Sequence, residues 1–93
     1  MNLPEIGKIY SLNNMTIPLW RAEIFEHKKI KINTEQDFIS KIKDNEIFFI
    51  LNYKIIEYNS EKDLLYCKVL KQDGIIGLFC IFKENFDSWV KKI

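Results

Sequence analysis

The longest apolar stretch of the chain runs over residues 46–58 (EIFFILNYKIIEY). It is too long and too apolar to be exposed on both faces, so it predicts a strand whose middle lies in the core. Two further strands follow it. Residues 59–63 are a polar turn, residues 64–71 a strand, Gln72-Asp73-Gly74 a hairpin signal, and residues 75–82 the returning strand. Strands joined this tightly pair antiparallel. Before the long run the pattern is weaker. Residues 6–12 carry the β-branched and aromatic character of a strand, and Asn13-Asn14 then tolerate a left-handed turn. Residues 16–20 predict an edge strand or an extended loop, because Pro18 brings no N–H to a ladder.

Residues 29–32 (KIKI) alternate polar and apolar like a half-buried strand. Thr34 with Asp37 resembles a weak capping box, and Phe38, Ile39 and Ile42 fall on one helical face, which predicts a short helix or helical turn. At the end of the chain Phe86, Trp89, Val90 and Ile93 recur at helical spacing, with Glu84 early and Lys91-Lys92 late. This predicts a helix over residues 84–92 that packs through Phe86 and Trp89. Four to six short strands and one helix then share a core, and the expected class is all-β, a small antiparallel barrel over residues 1–93 in which closure removes exposed strand edges.

Composition agrees with a packed domain. The hydrophobic share is 47%, and seven Phe, four Tyr and two Trp bring large side chains to a chain of 93 residues. Fourteen Lys and Arg against thirteen Asp and Glu leave a net charge of +1, too little to attract phosphate backbones or anionic lipid from a distance. No apolar run approaches the ~20 residues of a membrane span, and residues 1–5 lack the pattern of a secretory leader. A cytoplasmic protein is therefore expected, or a virion protein if the chain is phage-encoded, since 37 of the 93 residues are Ile, Lys or Asn, as AT-rich genomes encode.

From residue 39 onward the order of signals resembles the second half of a Src-homology-3 (SH3) domain. Ile42-Lys43-Asp44-Asn45-Glu46 and the strand after it are similar to the diverging turn of that family, with Asn45 where the family has Gly. Tyr66-Cys67-Lys68-Val69 resembles the strand that begins Trp-Trp in the family, and residues 73–80 resemble its distal hairpin and Gly-Leu-Phe-Pro segment. The resemblance implies an SH3-like barrel and a role as an interaction module. It does not carry over the proline-binding site. Tyr66 replaces the first Trp of that site, Cys80 its Pro and Lys83 its later Tyr, and only Tyr10 could stand in for its first segment.

Candidate chemistry is sparse. His27 is the one histidine and lies in a charged stretch, which reads as surface, and Gly7, Gly74 and Gly77 belong to no phosphate-cradling motif. Cys67 and Cys80 have no metal-ligand spacing and read as small hydrophobes. A two-residue turn at Asp73-Gly74 sets Cys67 opposite Cys80 as adjacent, reduced thiols; a three-residue turn shifts the register and is read as placing Val69 opposite Phe79. No catalytic residue, metal or cofactor is expected. The expected function is a non-enzymatic protein-interaction or assembly module, of the kind a phage uses as a small structural or accessory protein, binding another protein or itself through Tyr10, Trp20, Tyr66 and Phe82. The alternative is a small-ligand or nucleic-acid binder using the loop around Trp20 and the lysines Lys28, Lys29 and Lys31, with Phe25 and Phe38 as aromatic neighbours.

Overall fold

The computed structural model describes residues 3–93; Met1 and Asn2, on which the leader reading partly rests, lie outside the described residues. The chain forms a curled, half-barrel antiparallel sheet of seven strands with one short helix near its C-terminus. The strands are β1 (Ile9–Leu12), β2 (Ile17–Arg21), β3 (Phe38–Ile42), β4 (Ile47–Glu57), β5 (Asp63–Lys71), β6 (Ile76–Phe82) and β7 (Val90–Lys92), in the spatial order β3-β2-β6-β5-β4-β1-β7. β3 and β7 are therefore the two edges. The long apolar run is β4, which pairs with β5 along its whole length. A bulge between Ile50 and Asn52 lets so long a strand bend within a curled sheet.

The sheet buries residues on both faces. The inner face holds the main core, with Leu19, Phe48, Ile50, Leu65, Val69 and Phe79 fully buried. Half of the outer face is covered by the excursion between β2 and β3: the 3₁₀ turn Ala22–Glu26 lays Ile24 and Phe25 over Tyr66 and Leu78, and Ile30 and Ile32 pack against the same cluster. The alternation at residues 29–32 thus marks burial, but no strand forms there, because the apolar positions lie on the outside of the sheet and have no ladder to join. Arg21 and Asp37 close the excursion. The Arg21 N–H donates to the Asp37 carbonyl at 2.8 Å, and Arg21 Nε donates to Asp37 Oδ1 at 2.9 Å.

Three further expectations are corrected. Residues 34–42 do not form a helix. Asn33, not Thr34, accepts the capping bonds, from Glu35 N–H at 3.0 Å and Gln36 N–H at 3.2 Å, and residues 38–42 become β3 because β2 offers them a ladder. β2 is not an edge strand, yet Pro18 fits it: β2 pairs with β6 only at Trp20 and Arg21, so the position without an N–H has no partner on that side. The C-terminal helix is a 3₁₀ turn (Lys83–Asn85) and α1 (Phe86–Trp89), after which Val90–Lys92 turns extended to pair with the otherwise open edge of β1. Phe86 is buried and Trp89 half-buried against the inner core.

The β5–β6 loop has three residues, since Lys71 N–H donates to the Ile75 carbonyl at 2.8 Å and Gly74 takes φ +92°. The register follows as Tyr66 opposite Cys80, Cys67 opposite Phe79 and Val69 opposite Gly77. Neither expected partner of the cysteines or of Val69 is met. Cys67 points into the inner core and Cys80 into the outer cluster, so a one-residue slip has put the two free thiols on opposite faces.

Candidate interaction edge

The four residues singled out as contacts do not gather. Tyr10 is buried in the inner core, where its hydroxyl accepts the Glu5 N–H at 2.9 Å. Tyr66 is buried under Phe25 in the outer cluster beside Cys80, and its phenol is pushed up to about 12 by burial and then by Cys80. Burial raises the Cys67 and Cys80 thiols as well, which leaves both weak nucleophiles at neutral pH. Phe82 is half-buried at the far end of β6, edge-on to Tyr58 with the Lys62 ammonium above it. Trp20 lies on β2 instead of a loop, half-buried and edge-on to Phe38 at 6.1 Å between centroids.

Around that last pair the surface has a distinct character. β3 leaves one whole side unpaired. Its register against β2 shifts between Leu19 and Trp20, so that Leu19 faces Ser40 and Trp20 faces Phe38, with Ile39 as the extra residue. The bulge turns two successive apolar side chains to solvent: Phe38 is 51% exposed and Ile39 41%. Pro18 stands opposite Lys41 and has no N–H, so this pair falls at a non-hydrogen-bonded position of the ladder. The N–H and C=O of Lys41 therefore turn to the open side.

Charge is concentrated in the segment that leads into β3 and out of it. Seven lysines make no ion pair or side-chain hydrogen bond among the described residues, and five of them (Lys28, Lys29, Lys31, Lys41 and Lys43) lie between residues 28 and 43. The acidic groups of this segment add little: Asp37 is committed to the Asn33 N–H and then to Arg21, which hold its carboxyl below the usual range, and Glu35 is the one other carboxylate between residues 28 and 43. Ile30 and Ile32 anchor the loop in the cluster that contains Trp20, which leaves the alternating Lys29 and Lys31 in solvent beside it. His27 is exposed at the start of this loop.

Two other surface features are simpler. The uncovered half of the outer face carries one cross-strand row, Ile76, Leu70, Phe49, Ile9 and Ile93, which is apolar throughout. A cavity of about 680 Å³ opens beside β7 over Tyr10, Phe86 and Val90; of its polar groups Glu5 is paired with Lys92 and the Tyr10 hydroxyl with the backbone, while Lys91 makes no ion pair among the described residues. Among the described residues no cluster of His, Cys, Asp and Glu is arranged to hold a metal ion, and no helix is long and apolar enough to cross a membrane. Among the described residues the β3 edge is where two adjacent exposed apolar side chains, free backbone groups and several unpaired lysines fall together; the other edge, β7, offers Ile93 and Lys91 alone. Sequence reading found Trp20 and the first three lysines of this site but missed Ile39, Lys41 and Lys43, whose exposure depends on β3 being an edge strand with a bulge.

No family model, curated protein or solved structure matches this chain.

Proposed function

We propose that this protein is a non-enzymatic interaction module that engages another protein through the β2–β3 edge. The observation that carries the reading is the pair Phe38 and Ile39, two adjacent apolar side chains held in solvent on a strand whose second side is unpaired. A free strand edge invites pairing with another chain, and aromatic groups contribute disproportionately where proteins meet. The resemblance of residues 42–80 to SH3 barrels supports the same role, with a contact surface distinct from the proline slot of that family.

Site-specific photo-crosslinking tests the reading. A benzoylphenylalanine placed at Phe38 is expected to give one discrete protein adduct in the cells that express the protein. The same probe at Ile76, which is 43% exposed and apolar but lies on the outer sheet face, is the control. Equal labelling from both positions, or none from either, sinks the assignment.

A further inference from the structure

The character of the partner can be read from what β3 leaves unsatisfied. We infer that the β3 edge receives an extended acidic segment of the partner, added as an eighth strand, with its carboxylates on the unpaired lysines and its apolar side chains on Phe38 and Ile39. The inference rests on the interaction reading above and specifies the occupant.

Three observations converge on it. The free side of β3 presents the N–H and C=O of Lys41, groups that an extended chain satisfies and a helix does not, and this free stretch ends before Lys43, whose N–H and C=O are both bonded to Glu46. Lys41 and Lys43 flank one end of that edge, and Lys28, Lys29 and Lys31 belong to the loop that leads into the other; none has a carboxylate of its own. The rest of the chain is different: Lys62, Lys68, Lys71, Lys83 and Lys92 are each paired with an acidic residue. Of the seven lysines without an ion pair or side-chain hydrogen bond among the described residues, five therefore lie on this one segment, and only Lys8 and Lys91 stand elsewhere. Charge complementarity selects an acidic occupant and disfavours a second copy, because two β3 edges face to face would bring the Lys41–Lys43 ends and their loops into one cationic cluster. A single-stranded nucleic acid would share the lysines and the Phe38 ring, but it has no use for a strand's free N–H and C=O pattern, nor for Ile39.

Fluorescence anisotropy on the intact protein discriminates these occupants, with four labelled probes: a short peptide alternating Glu or Asp with Val or Ile, its Lys-substituted and Gln-substituted counterparts, and an oligo-dT of about ten nucleotides. The acidic peptide is expected to bind at least about tenfold more tightly than the Gln peptide, and the Lys peptide not at all. N-methylation of alternate backbone amides should abolish binding, which reads strand addition directly. Combined substitution K41E/K43E should weaken the acidic peptide about tenfold or more and improve the Lys peptide, with the far-ultraviolet dichroism of the protein unchanged. Equal binding of acidic and Gln peptides, both lost in F38D, would overturn the acidic occupant while leaving the interaction reading standing. Tighter binding of oligo-dT than of any peptide would overturn both. Failure of all four probes overturns the occupant proposed here, and the crosslink at Phe38 then decides the interaction reading by itself.

Discussion

Gly77 sits where β6 passes closest to β2, opposite Val69 on one side and Arg21 on the other. A Cβ built there meets Leu19 Cβ at 3.0 Å, Cδ1 at 3.1 Å and Cγ at 3.3 Å. Leu19 is fully buried, and its strand is held by β3 on one side and joined to β6 directly after it, so the side chain has no free space into which to withdraw. Gly77→Ala is therefore an overpacking change, which costs about 1–3 kcal/mol, offset by about 0.5–1 kcal/mol because glycine is itself unfavourable within a strand. The net loss expected is about 1–2 kcal/mol. For a chain of this size that lowers the melting temperature by roughly 5–15 °C. Urea unfolding followed by tryptophan fluorescence measures it, and a double-mutant cycle with Leu19→Ala identifies its origin. Leu19→Ala alone costs about 2–5 kcal/mol. It also removes two of the three crowding atoms, so the double variant should be more stable than the sum of the singles by about 0.5–1.5 kcal/mol. A neutral or stabilising Gly77→Ala, or strict additivity with Leu19→Ala, would refute the close approach as the reason for glycine at this position.

Other expectations concern the loop closure, the thiols and the left-handed turn. Asp37→Asn should lower the melting temperature at neutral pH by loosening the excursion between β2 and β3. The folded carboxyl titrates below its ordinary value, so its contribution is complete above about pH 4 and is lost as the pH falls through the folded value. The gap between wild type and variant should accordingly close in melting curves taken from pH 7 down to about pH 2; a gap that persists in acid contradicts the assignment. The Cys67 and Cys80 thiols are raised, so their contribution is complete below about pH 8.5, where unfolded thiols begin to ionise, and falls as the pH rises beyond it. Wild type should destabilise between about pH 8.5 and 10.5, and Cys67→Ala should flatten that limb while lowering stability at pH 7. Asn45 holds φ +69° in the turn before β4. Asn45→Ala should cost about 1–2 kcal/mol and Asn45→Gly little or nothing, as judged by urea midpoints; equal costs would argue that the side chain, not the backbone, is what matters there.

How much of the molecule was legible in the sequence differs by region. Where side-chain periodicity and turn chemistry agree within one local stretch, as over β4, β5 and β6, the strands were readable from the residues alone. Asn14 and Asn45 do adopt the left-handed conformation that asparagine tolerates. The all-β class was also legible, because tightly joined apolar strands leave few other ways of burying aromatic side chains.

What only the tertiary structure decided is whatever depends on a distant neighbour. The spacing of Phe38, Ile39 and Ile42 is that of a helical face, yet β2 supplies a ladder and makes the segment a strand. The pattern from Phe86 to Ile93 is helical too, yet the unpaired edge of β1 draws Val90–Lys92 into extension after one turn. One extra residue in the hairpin loop moved Cys67 and Cys80 to opposite faces, because side chains in a strand alternate and a slip of one reverses them all. The candidate site shares this origin. Phe38 and its lysines stand in the sequence as a mixed polar stretch, and they became an edge with free hydrogen-bonding groups and uncompensated charge only when the sheet ended at β3.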